Sequence, residues 1–157
     1  MLYHISNLKQ SEQQLVKNTP FLISILIAGS DGIIENEEIE KSLNLIHTKS
    51  FSEASDIRYL YKEIETDAEN KIKTLLAQLP QNAPERETAV VAELQKLNEV
   101  LIKLDNAIAV DFYKSIRKFA VQVANISGGI LGMNKINYHE KEMLKLPMIN
   151  NPETSES

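Results

Sequence analysis

The sequence predicts an all-α fold: a helical bundle in which two pseudo-repeated helix-turn-helix halves are joined by long central helices. Three observations predict it. Apolar residues recur at helical spacing over most of the chain. All five glycines fall in two short stretches, Gly29 with Gly32 and then Gly128, Gly129 and Gly132, so the span between them lacks the residue that most readily punctuates a helix. No stretch alternates apolar and polar residues between turn formers, as a half-buried strand requires.

Thr19-Pro20 has the chemistry of a helix start, with Thr19 as N-cap and Pro20 at the first helical position. The helix it predicts carries Phe21, Leu22, Ile25 and Leu26 and stops at Gly29. Asn36 is the expected cap of a second helix. Glu37 and Glu38 stand in its first turn against the positive helix end, and Ile39, Leu43 and Ile46 form its apolar face. Ser52 is the expected cap of a third, with Ile57, Leu60, Tyr61 and Ile64 on one side and a bend in the polar run 65–70. Ile72, Leu75, Leu76 and Leu79 continue to Pro80, and Pro84 opens the next element. From there Leu94, Leu97, Leu101 and Leu104 make one stripe, and Ile108, Phe112, Ile116, Phe119 and Val123 another. About forty residues is long for a globular helix, so a break is expected near Asp105-Asn106. A short helix from Tyr138 to Leu146 ends at Pro147.

The chain of 157 residues fits one domain over 1–149, followed by a frayed polar tail over 150–157. A hydrophobic content of 43% with 25% charged residues is that of a globular protein. The net charge of −5 argues against nucleic-acid binding. Lys114, Arg117 and Lys118 sit at helical spacing and read as a solvated helix face. With no cysteine there is no disulfide, zinc thiolate or thiol nucleophile. The apolar run from Phe21 to Ala28 is less than half of the roughly 20 residues that span a membrane, and the first residues do not form a signal peptide. No transmembrane segment is expected, and a cytoplasmic location is the default.

The first glycine-bearing junction, Asp31-Gly32-Ile33-Ile34-Glu35-Asn36-Glu37-Glu38, has the form D-G-x-I-x-x-x-E, the second half of an EF-hand calcium loop. In that register Asp31 is the position 5 ligand and Gly32 makes the sharp turn. Ile33 offers its carbonyl at position 7, Glu35 acts through water at position 9, and Glu38 is the bidentate position 12. Ile27 and Gly29 fall at positions 1 and 3 and offer no side-chain oxygen. Calcium takes about 6–8 oxygens and this turn supplies about four or five, so weak binding of Ca2+ or Mg2+ is expected. Against this stands ordinary architecture: Asp before Gly is common turn chemistry, and a first-turn Glu needs only the helix dipole. Five acids and no base from Asp31 to Glu40 favour a cation.

The second junction, Met133-Asn134-Lys135-Ile136-Asn137-Tyr138-His139-Glu140, repeats the spacing with Ile136 and Glu140 in the places of Ile34 and Glu38. Met133 replaces the aspartate, so this copy is expected to be structural. Whether Glu140 or Glu142 adds to the acidic turn is left open by the sequence. The preceding stretch from Gly128 to Met133 is apolar for a loop and suits either the core or a partner surface.

These junctions resemble those of the tellurite-resistance TerB-like family. The resemblance rests on Ile25 to Ile34 with Glu38, and on the weaker echo from Val123 to Leu146; Ser30 stands where that family usually has alanine. It implies an all-helical domain of two pseudo-repeated halves, divalent-metal binding through Asp31 and Glu38, and a loose link to stress response. No catalytic constellation accompanies it. His4, His47 and His139 show no metal-ligand spacing, and a His47 at a helix end is explained by the helix dipole. No P-loop follows Gly128-Gly129. The expected function is therefore that of a non-enzymatic module with a protein partner or self-association. The alternative is a metal-free interaction domain using the Gly128–Met133 loop or a helix groove.

Overall fold

The computed structural model describes residues 2–29, 34–53, 56–128 and 138–153. Over these residues the protein is an all-α bundle of nine helices: α1 Leu2–Ile5, α2 Gln10–Ala28, α3 Asn36–Ser52, α4 Ile57–Ile64, α5 Ala68–Gln78, α6 Ala83–Gln95, α7 Leu97–Leu101, α8 Asn106–Gly128 and α9 Tyr138–Leu144.

Helix α2 is the axis of the bundle. Every residue from Thr19 to Ala28 is buried, because the segment is apolar all round and must be enclosed on all sides. It packs chiefly on α8 and α6 and also touches α3, α5, α7 and α9. Helices α3 and α4 form a close pair that leans on α8. The stripes meet in the core: Ile57, Leu60, Tyr61 and Ile64 of α4, and Phe112, Ile116, Phe119 and Val123 of α8, are all at most 1% exposed. At about 1.5–3 kcal/mol for each fully buried large side chain, these two faces rank among the main supports of the fold. No described helix is long and apolar enough to cross a membrane.

Three helix starts differ from the sequence expectation. Pro20 lies inside α2, which begins ten residues earlier. The upstream start is set where the Lys9 N–H donates to Glu12 Oε1 at 3.0 Å, and Lys103 holds the other oxygen of Glu12 at 2.6 Å. An interior proline costs about 3 kcal/mol, since its missing N–H leaves a carbonyl one turn back without a donor. Burial of the whole segment outweighs that, and Thr19 turns its hydroxyl back onto the Leu15 carbonyl at 2.8 Å instead of capping. Ser52 ends α3 and does not cap α4, whose N-cap is Asp56. Asn36 is the first residue of α3, one place beyond its N-cap Glu35.

The breaks fall where expected. Asp67 takes a left-handed conformation (φ 61°) between α4 and α5. Asn82 caps α6 by accepting the Glu85 N–H at 3.2 Å, with Pro84 in the first turn. The long apolar span divides before Asn106 as expected, and also at Lys96, where no break was expected. The tail from Asn150 to Glu153, expected to fray, is held. Asn98 of α7 donates to the Met148 carbonyl at 3.0 Å and accepts from the Asn150 N–H at 2.7 Å, while Leu146, Met148 and Ile149 are buried beside it.

Candidate functional site

The acidic turn joins α2 to α3, so its two ends are fixed by helices with different surroundings. On the α2 side, Gly29 donates its N–H to the carbonyls of Ile25 and Ile27 and closes the helix. Its backbone is ordinary (φ −87°, ψ 4°), so the glycine is there for space. A Cβ at this position would lie 3.1 Å from Ile34 Cδ1 and 3.1 Å from Arg86 Nη2. Ile34, the apolar anchor of the motif, is folded against the end of α2 and packs on the core.

On the α3 side, Glu35 is the N-cap. Its carbonyl accepts the N–H groups of Glu38 (3.0 Å) and Ile39 (3.2 Å), and its side chain is exposed. Glu38 follows in the first turn, half-buried, with Oε2 shut off from solvent. Glu37 is exposed and pairs with Lys41 at 3.3 Å. Asp31 and Ile33, the expected side-chain and carbonyl ligands, lie outside the described residues, as do Gly32 and residues 129–137 of the second junction. Of the four expected ligands the structure therefore places Glu35 and Glu38, one helical turn apart and differing in burial. Glu140 stands in the first turn of α9, as Glu38 does in α3. Among the described residues no three His, Asp or Glu side chains gather in a way that would hold a metal ion.

One functional group at this turn was not visible in the sequence. Arg86 of α6 is only 8% exposed, and its guanidinium donates to the Gly29 carbonyl (Nη2, 3.3 Å) and to the Gln81 carbonyl (Nη1, 3.3 Å). It brings a permanent positive charge to the negative end of α2, where cations are favoured, at the mouth of the acidic turn. Nothing in the local sequence around Arg86 marks it, because its partner lies far back in the chain.

Two further groupings stand away from the turn. Each histidine meets a carboxylate from another part of the chain: His4 with Asp56 (3.5 Å), His47 with Glu65 (2.7 Å) and His139 with Glu87 (2.6 Å). His47 lies within α3, five residues before its end, so a cross-helix carboxylate accounts for it better than the helix dipole. Between α3, α4 and α8, Lys49 is 3% exposed, pairs with Glu53 at 3.3 Å, and lies 5.7 Å from the Tyr61 ring centroid. The Tyr61 hydroxyl shares a 3.3 Å hydrogen bond with Ser115. Burial pushes the Lys49 ammonium below its ordinary pKa, Glu53 opposing, and pushes the Tyr61 phenol above its own.

The fold and this turn define an all-α bundle whose α2–α3 junction is acidic on its α3 side and anchored by a buried arginine on its α2 side. No family model, curated protein or solved structure matches the chain.

Proposed function

We propose that the protein is a non-enzymatic, TerB-like helical module whose α2–α3 turn takes a divalent cation weakly, Ca2+ or Mg2+, through Asp31, the Ile33 carbonyl, Glu35 and Glu38. The observation that carries this reading is Glu38, a first-turn glutamate with one carboxylate oxygen already withdrawn from water. A partly desolvated carboxylate gains more from a cation than an exposed one does. Glu35 is exposed and suits a contact through water. Arg86 explains why binding is weak: a resident cation at the start of the turn offsets part of the negative potential that an incoming ion would meet. Ion uptake would fix the angle between α2 and α3, and so act on a protein partner or on self-association, with the stress-response link following from the TerB-like resemblance alone.

A second reading is favoured by the same arginine. Arg86 ties Gly29, at the α2 end of the junction, to α6 without any ion, and the junction would then serve as architecture in an interaction domain.

Calcium titration by calorimetry at physiological salt separates the two. The first reading expects dissociation constants of roughly 10⁻⁴–10⁻³ M for the wild-type chain and no binding for Asp31→Ala. Absence of both heat and thermal stabilisation by calcium and by magnesium would remove it and leave the second.

A further inference from the structure

The solvent face of α8 carries Lys114, Arg117 and Lys118 beside Val121, in a chain whose net charge is −5. Lys114 and Lys118 are exposed, as a solvated helix face requires. Together with the tail they line a groove of about 330 Å³. The tail crosses it because Asn98 anchors the Met148 carbonyl and the Asn150 N–H, and Asn151 then turns the chain by accepting the Glu153 N–H at 2.9 Å. That turn delivers Glu153 to Lys114, Oε1 to Nζ, at 2.8 Å. Arg117 lies over the Tyr113 ring at 5.7 Å, and among the described residues neither Arg117 nor Lys118 has an ion-pair partner. The groove thus holds three cations, one seated carboxylate and a half-exposed valine, with the buried Tyr113 ring beneath Arg117.

We propose that this groove docks an acidic peptide segment of a partner protein, and that Glu153 of the chain's own tail is its resident, replaceable occupant. The seated carboxylate shows which chemistry the groove accepts. Val121, 44% exposed, adds an apolar contact that a peptide can use and a free anion cannot, and Arg117, planar and held over the buried Tyr113 ring, is suited to a bidentate carboxylate. Glu153 contributes little that a ligand could not replace, because its pair with Lys114 is exposed on both sides. The proposal is independent of the metal reading: it concerns α8 and the tail, and stands whether or not the α2–α3 turn takes an ion.

The test is fluorescence anisotropy with a labelled glutamate-rich octapeptide, at about 0.15 M salt so that the overall negative charge is screened beyond roughly 8 Å. The full-length chain, Glu153→Gln and the double variant Arg117→Ala/Lys118→Ala are compared, with circular dichroism confirming that each is folded. The expected results are binding by the wild-type chain, about two- to fivefold tighter binding by Glu153→Gln, and at least about tenfold weaker binding by the double variant. The idea fails if neither the wild-type chain nor Glu153→Gln binds, or if binding ignores Arg117 and Lys118. It also fails if inorganic phosphate displaces the peptide at equal concentration, which would make the groove a small-anion site.

Discussion

Gly29→Ala tests whether the end of α2 is built around close approach. The backbone at Gly29 is open to any residue, so alanine brings no strain from φ. It would even gain about 0.4–1 kcal/mol by restricting the unfolded chain. Against that, the new methyl would meet Ile34 Cδ1 at 3.1 Å, Ile34 Cγ1 at 3.2 Å and Arg86 Nη2 at 3.1 Å, where carbon contacts are comfortable at about 3.5–4.0 Å. Ile34 is packed on the core, and Arg86 is held at two carbonyls, so neither yields freely. Overpacking of this kind costs about 1–3 kcal/mol. The net expectation is a loss of about 1–2 kcal/mol, read as a fall in Tm of about 2–8 °C for a chain of this length. Chemical denaturation of the single variants and of the Gly29→Ala/Ile34→Ala pair completes a cycle. Trimming Ile34 should relieve at least about 0.5 kcal/mol of the alanine penalty. A neutral or stabilising Gly29→Ala, or strict additivity with Ile34→Ala, would show that the glycine is not there for space.

Two other substitutions probe the core and the tail. Tyr61 keeps its proton in the folded protein above the ordinary phenol pKa of 10.0, so the unfolded chain binds fewer protons there and stability must fall as pH rises past that value. Lys49 acts in the opposite sense as pH rises toward 10.5, since its folded pKa is lowered and the unfolded chain holds the proton longer. Tyr61→Phe should therefore lose less stability than wild type between pH 10 and 11, while being about 1 kcal/mol less stable at pH 7 for want of the Ser115 hydrogen bond; thermal melts across that range decide it, and parallel curves would refute the assignment. Asn98→Ala removes both hydrogen bonds that anchor the tail, and should cost about 1–3 kcal/mol in denaturant unfolding and raise amide exchange at Asn150. Unchanged exchange would mean that the buried Leu146, Met148 and Ile149 hold the tail by themselves.

What the sequence made legible was what periodicity and strong breakers control. The stripes of α4 and α8 are buried residue for residue, and the breaks at 65–70, Pro80–Pro84 and Asp105-Asn106 are real, because helical spacing and missing donors act over a few residues. Thr19-Pro20 misled for a reason of the same physics at larger scale. A local start signal worth about 1–3 kcal/mol competes with the burial of a whole apolar segment between α6 and α8, and only the second is decided by the tertiary fold. Ser52 likewise caps nothing, since α3 simply runs on to it.

The candidate site shows the same division more sharply. Read locally, residues 31–40 hold five acids and no base, which is the pattern of a cation trap. In the folded chain Glu37 already answers Lys41, and Arg86 reaches the start of the turn from 57 residues away. The charge at the start of the turn thus includes a contribution from α6, and no spacing rule applied to the turn alone can contain it. Lys114, Arg117 and Lys118 are a solvated stripe in the sequence and in the fold, where the tail they face adds a groove with a carboxylate in it. Each local reading took its charge balance from neighbours in sequence. Electrostatics at both places depends on neighbours in space, which is why Glu153, the position that tests the groove, is one the motifs would not have chosen.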